Sequence, residues 1–107
     1  MSPDRLRAVT IARQQQAERE NRRLAAHASV AALLRAGSGV EAVVGAARDQ
    51  IKKWQSGALC SRDYIEDWEN VISQGPNRIA EVLEEQSAFG MRMRQNTPFA
   101  HYIGHPA

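Results

Sequence analysis

The feature that most constrains the fold is a long stretch without any helix-breaking residue. After Pro3, neither proline nor glycine occurs before Gly37. Ser2-Pro3-Asp4 is typical of a helix start, because it supplies a hydroxyl cap, a proline at the first helical position and an acid in the first turn. A helix of roughly 33 residues is about 50 Å long. The 107 residues therefore predict one small domain built on a single long helix.

The two parts of this long helix differ in their apolar content. Residues 13–23 contain a single apolar side chain, Ala17, and cannot form a buried face. Residues 24–36 are rich in alanine and leucine and can form one, with Leu33 among the expected core residues. We expect residues 1–23 to form a basic helical segment, called the arm below, that projects from the rest of the protein.

Three further helices complete the predicted body, which spans residues 24–95. Glycine, serine and proline separate the helices at 37–38, 57–61 and 75–76, and such short links suit antiparallel neighbours. Apolar residues recur in each helix at three- and four-residue steps, namely Val40, Val43, Ala47, Ile51 and Trp54, then Tyr64, Ile65, Trp68, Val71 and Ile72, then Ile79, Val82, Leu83 and Phe89.

The ends of these helices and the tail complete the fold prediction. Ser38 and Glu41 have the spacing of a capping box for the second helix, and the fourth helix is expected to continue towards Gly90. Residues 96–107 contain two prolines and a glycine, which predicts irregular chain held to the body by its aromatic side chains. The predicted fold is all-α, a small four-helix bundle-like body with a long, partly projecting N-terminal helix and an irregular C-terminal tail.

Charge is distributed unevenly along the chain. Residues 1–53 hold ten Lys/Arg against five Asp/Glu, a net charge of +5, whereas residues 54–107 hold four against seven, a net charge of −3. Such a split indicates either a charged partner or one half folding against the other.

Few residues suggest catalytic or metal chemistry. The single cysteine, Cys60, excludes an internal disulfide and fits a reducing cytoplasm, where we expect the protein to act. His101 and His105 are four residues apart, but glycine and proline beside them argue against a helical metal site. No glycine-rich loop has the phosphate-binding pattern, and no apolar run is long enough for a membrane span. We therefore expect no enzymatic activity, catalytic residue, metal or cofactor, and no membrane association.

The arm is the first candidate for a binding surface, because it cannot bury a face of its own. Its arginines could contact acidic protein groups or phosphates. The alternative is an exposed helix stabilised by ion pairs such as Glu18–Arg22. The candidate partner-binding residues here are Arg5, Arg13, Ala17, Arg19, Arg22, Arg23 and Leu24.

A second candidate surface lies near the C-terminus, where methionine, arginine and aromatic residues cluster. Methionine adapts to varied partners, and arginine can form bidentate contacts with a base or a carboxylate. Core packing is the competing interpretation for at least one of the methionines. The candidate residues are Phe89, Met91, Arg92, Met93, Arg94, Phe99 and Tyr102.

In its make-up the chain resembles small bacterial accessory proteins such as antitoxins, effector chaperones and phage-encoded inhibitors, because it is short, helical, Arg/Ala-rich and without catalytic groups. This resemblance implies a non-enzymatic binding protein that neutralises, escorts or regulates a protein partner. The alternative is a nucleic-acid-binding transcriptional regulator that uses the arm together with Arg92 and Arg94. A homodimer, with the arm of one copy along the acidic helices of another, is a third hypothesis.

Overall fold

The computed structural model describes residues 3–103, and these form six helices without any strand. The predicted all-α, bundle-like fold with a long N-terminal helix is confirmed. The expected Ser2 cap lies outside the described residues. The helices are α1 (Pro3–Ala36), α2 (Val40–Gly57), α3 (Arg62–Ser73), α4 (Pro76–Glu84), α5 (Ala88–Gln95) and α6 (Ala100–Ile103).

Helix α1 has an exposed N-terminal part and a packed C-terminal part. Every residue from 3 to 19 is exposed, whereas His27, Val30, Ala31 and Leu34 are buried, mainly against α4. These four residues recur at three- and four-residue steps, which places them on one face of the helix. Leu33, expected in the core, lies off this face and is 38% exposed. None of the helices within residues 3–103 is both long enough and apolar enough to cross a membrane.

The core of the body is centred on Trp68, which is completely buried. Its indole Nε1–H donates a hydrogen bond of 2.8 Å to the backbone oxygen of Asn96, and its ring packs edge-to-face on Phe99 with centroids 5.6 Å apart. An aromatic pair of this kind contributes about 0.5–1.5 kcal/mol beyond the area it buries. These contacts hold the C-terminal segment against α3.

The C-terminal segment is more ordered than the sequence predicts. The expectation of irregular chain over 96–107 is wrong for Ala100–Ile103, which form the short helix α6 packed against α1. Phe99, immediately before it, is fully buried and so fixes where the turn begins. Residues 104–107, including His105, lie outside the described residues.

Helix α2 begins one residue later than the predicted capping box requires. Its N-cap is Gly39, which has a left-handed backbone with φ of 64° and makes no side-chain capping bond. The prediction that Ser38 and Glu41 form a capping box is therefore wrong. The helix starts at Val40, so the Ser38 side chain is not at the position from which it could accept the orphan amide hydrogens.

The predicted fourth helix is divided in two. It ends at Glu84, and Glu85 adopts an extended backbone with ψ of 122°. Ser87 then caps α5, because its Oγ accepts a hydrogen bond of 3.0 Å from the amide of Gly90. The predicted continuation to Gly90 is wrong because a serine cap, rather than a glycine or proline, separates the helices. The break turns α5 back towards α1, which it contacts.

Candidate partner-binding surface

The arm exposes large apolar side chains along a continuous helix. Leu6 is 54% exposed, Val9 41% and Ile11 52%, and these are half of the six exposed large hydrophobic residues in the described part of the chain. Leu6 precedes Leu24 by 18 residues, which is five helical turns, so the two lie on the same face of α1. The face that packs on the body therefore continues outward along the arm with apolar residues but without any partner among residues 3–103.

The arginines of the arm are largely without ion pairs. Arg7, Arg13 and Arg22 form none with any described residue, and Arg19 donates to the neutral amide oxygen of Gln16 at 2.9 Å. The expected Glu18–Arg22 pair is not formed between these two described residues. Arg5 is exposed as well. The arm's positive charge is thus not neutralised by a lattice of ion pairs along the helix.

Arg23 is the exception, and it marks where the arm meets the body. It is half-buried and forms a 2.8 Å ion pair with Glu20, whose carboxylate also accepts from Gln16 and from Gln95 of α5. Glu20 is therefore neutralised by its own surroundings. Its negative charge is engaged inside the protein.

The acidic second half of the chain is neutralised mostly by arginines of the body. Five of its seven acids form ion pairs, and every partner arginine lies outside the arm. The pairs are Glu66–Arg62, Asp67–Arg92, Glu81–Arg78, Glu85–Arg78 and Glu84–Arg35. Of these, only Arg35–Glu84 joins the two halves of the sequence. The charge split thus leaves uncompensated positive charge on the arm.

A groove of about 390 Å³ lies between α1 and the start of α5, and we call it the α1/α5 groove. Its apolar lining comes from Ala17 and Leu24 of α1 and from Met91 of α5, which is 39% exposed. Arg13 and Arg94 also line it. The groove thus brings together residues from both candidate surfaces, although 67 residues separate Leu24 from Met91.

Arg94 holds α5 against the end of α4. It is only 3% exposed, and its Nη1 donates to the backbone oxygens of Val82 and Leu83, each at 3.2 Å. These carbonyls belong to the last turn of α4, where a cation also complements the helix dipole. Burial lowers the pKa of Arg94, whereas the charges of Glu20 and Glu85 favour its protonated form. Its role in the described structure is therefore internal.

His27 lies beneath the base of the arm and is completely buried. Its Nδ1 is 2.6 Å from the carbonyl oxygen of Arg23, which can only accept, so Nδ1 carries the proton of the neutral ring. Burial lowers the pKa of His27; the bond to the Arg23 carbonyl opposes this, and the charges of Arg94 and Arg23 lower the pKa further. Sequence reasoning missed this residue, although its spacing to Val30, Ala31 and Leu34 indicated the buried face.

The remaining residues of the second candidate surface are mostly engaged within the body. Met93 and Phe99 are completely buried, and Phe89 and Tyr102 are half-buried and pack on the core. Arg92 bonds Asp67 at 2.6 Å and its guanidinium lies 4.2 Å from the centre of the Tyr64 ring. Of the cluster from Phe89 to Tyr102, Met91 is the large apolar side chain left exposed.

Neither metal ligands nor similar proteins identify a different site. No group of three His, Cys, Asp or Glu residues within 3–103 is placed to hold a metal ion. Comparison of the chain with protein-family models, with curated proteins and with solved structures finds no match. The geometry of the arm and of the α1/α5 groove is therefore the basis for assigning a function.

Proposed function

We propose that this protein is a non-enzymatic helical binding protein that neutralises, escorts or regulates a protein partner, as antitoxins, effector chaperones and phage inhibitors do. The observation that carries the proposal is the exposure of residues 3–19 as one helix with apolar side chains and unpaired arginines. A face that only faced water would gain nothing from Leu6 and Val9. Contact with another protein would remove that apolar area from water, at about 25 cal/mol per Å².

Nucleic acid is the second candidate ligand, and the same arm supports it. Arg7, Arg13 and Arg22 could neutralise phosphates, but Asp4 and Glu18 reduce the charge of the segment. The expected help from Arg92 and Arg94 is weak in this conformation, because one is paired with Asp67 and the other is buried. Exposed leucine, valine and isoleucine also suit a protein surface better than a phosphate backbone. We therefore favour the protein partner.

The proposed place of action is the cytoplasm. The single cysteine, Cys60, has no second cysteine in the chain with which to form a disulfide. A protein that relies on packing alone, without disulfides, suits a reducing compartment.

The test is co-purification from the native host with tagged full-length protein and with a variant that lacks residues 1–18. The deletion removes only exposed residues and keeps the Glu20–Arg23 pair, so the thermal melting of the body should change little. We expect mass spectrometry to identify a protein that accompanies the full chain and is lost from the truncated one. Retention of the same protein by the truncated variant would exclude the arm as the interface.

A further inference from the structure

The arm and the α1/α5 groove share one face of α1. Leu6, Arg13, Ala17 and Leu24 are separated by 7, 4 and 7 residues, which are close to whole numbers of helical turns. The last three of these line the groove, and Leu6 extends the same face towards the N-terminus. From Leu6 to Leu24 this face is about 27 Å long at 1.5 Å per residue. It therefore has the length of five turns of a partner helix.

The polar groups on this face are predominantly positive. Arg13 lies midway along it and forms no ion pair with the described residues. At the inner end, Arg94 lines the groove while its charge is only partly balanced by Glu20, which Arg23 already pairs. Arg7 and Arg22, elsewhere on α1, lie within a Debye length of the helix axis and add to the positive potential. A negatively charged occupant complements this face and a positively charged one does not.

The apolar groups on the same face indicate what kind of anion fits. Leu6 and Met91 are exposed at 54% and 39%, and Leu24 lies half-buried between the arm and the body. Methionine accommodates side chains of different shapes, which suits a groove wall that receives leucine or phenylalanine. Helices dock into such grooves by an apolar stripe with spacing i, i+3, i+4 and i+7. A free phosphate or a nucleic-acid backbone would leave these apolar side chains unused.

We propose that the occupant of this face is an acidic amphipathic helix of the partner protein, with an apolar stripe in the α1/α5 groove and a carboxylate at Arg13. This assignment rests on the proposed function and adds the chemistry of the partner. The helix lies along α1 from Leu6 to Leu24, with Met91 as the opposite wall. Pairing with Arg13 sets its position along the groove, because a bidentate arginine–carboxylate contact is geometrically specific.

The test uses the full chain and three fluorescein-labelled 18-residue peptides in an anisotropy titration. The first carries leucine at i, i+3, i+4 and i+7 with glutamate at most other positions; the second has the same composition with scrambled leucine spacing. The third replaces every glutamate with lysine. We expect the first peptide to bind at least about tenfold more tightly than either of the others, and to weaken with salt because the contact with Arg13 is exposed. A duplex DNA oligonucleotide is the fourth probe.

Three variants locate the contact. Arg13→Glu and Leu6→Glu should each weaken binding of the first peptide about tenfold or more, because they place repulsive charge on the docking face. Ile11→Glu is the matched control, because Ile11 is as exposed as Leu6 but lies on the opposite side of α1, and it should change affinity less than about twofold. All three substitutions are at exposed sites, so the melting temperature should be preserved.

The other results overturn the proposal. Equal binding of the striped and scrambled acidic peptides would show attraction to negative charge alone, and tighter binding of the DNA would identify a nucleic-acid surface. No binding of the striped peptide, or equal losses for Ile11→Glu and Arg13→Glu, would also exclude this docking face. If the co-purified protein still requires residues 1–18 in those cases, the proposed function stands and only the acidic helix is wrong.

Discussion

Substituting Gly90 with alanine should destabilise the protein, although the same change usually strengthens a helix. Gly90 lies inside α5, where replacing glycine with alanine ordinarily contributes about 1 kcal/mol. Here a Cβ would overlap the carbonyl oxygen of Glu85 and lie 2.9 Å from its carbon and 3.0 Å from Nη1 of Arg94. Neither the backbone at Glu85 nor the buried guanidinium can move without disturbing the link between α4 and α5.

The net effect follows from these opposing contributions. Overpacking of a well-packed site typically costs about 1–3 kcal/mol, and a clash with backbone belongs at the upper end of that range. After subtracting the helix gain of about 1 kcal/mol, we expect a net loss of about 2 kcal/mol. For a domain of this size that corresponds to a melting temperature lower by about 8 °C.

Gly45 is the matched control for this prediction. It lies within α2, and a Cβ added there meets nothing within 4 Å. Gly45→Ala should therefore raise the stability by about 1 kcal/mol, or the melting temperature by about 4 °C. Urea unfolding followed by circular dichroism measures both variants under identical conditions. A Gly90→Ala protein as stable as the parent, or stabilised like Gly45→Ala, would refute the close approach of α5 to Glu85.

Three further changes probe the buried polar groups and the caps. Because burial lowers the pKa of His27 below 6.5, the unfolded chain binds a proton that the folded chain resists; stability should fall as pH drops from 6.5 to the folded-state pKa, and urea titrations of His27→Leu should lack that part of the slope. Arg94→Met keeps the stem but removes the donor to the α4 carbonyls, and thermal melting should report a loss of about 2 kcal/mol. Ser87→Ala should cost about 1 kcal/mol, whereas Ser38→Ala should change the unfolding free energy by less than about 0.5 kcal/mol.

The helical part of the fold could be predicted because its signals are local. Gly37 and Gly75-Pro76 end or restart helices at the expected places, and the apolar spacing in α2 and α3 identifies their buried faces. The division after Glu84 escaped prediction because no glycine or proline marks it. The signal present was Ser87, a good N-cap residue, but the acceptor position three residues later is glycine rather than the glutamate of a capping box.

The candidate surface was predictable only in part, since burial depends on contacts between distant segments. The low apolar content of the arm indicated exposure, and residues 3–19 are exposed. Nothing local distinguishes Arg94 from Arg92, yet one is buried on the α4 carbonyls and the other pairs with Asp67. The groove wall at Met91 likewise requires knowledge of where α5 returns to α1.

The continuity of α1 determines how much order the exposed segment loses when it is alone in water. Starting a helix is the unfavourable step, and extending an existing one by a residue costs far less. The packed turn at His27 to Leu34 is an existing helix from which Arg19 back to Pro3 can propagate, with fraying increasing towards the chain start. A ligand that meets this segment finds its side chains already spaced at 3.6 residues per turn. Much of the entropy that an unstructured peptide would lose on binding has then been lost during folding of the body.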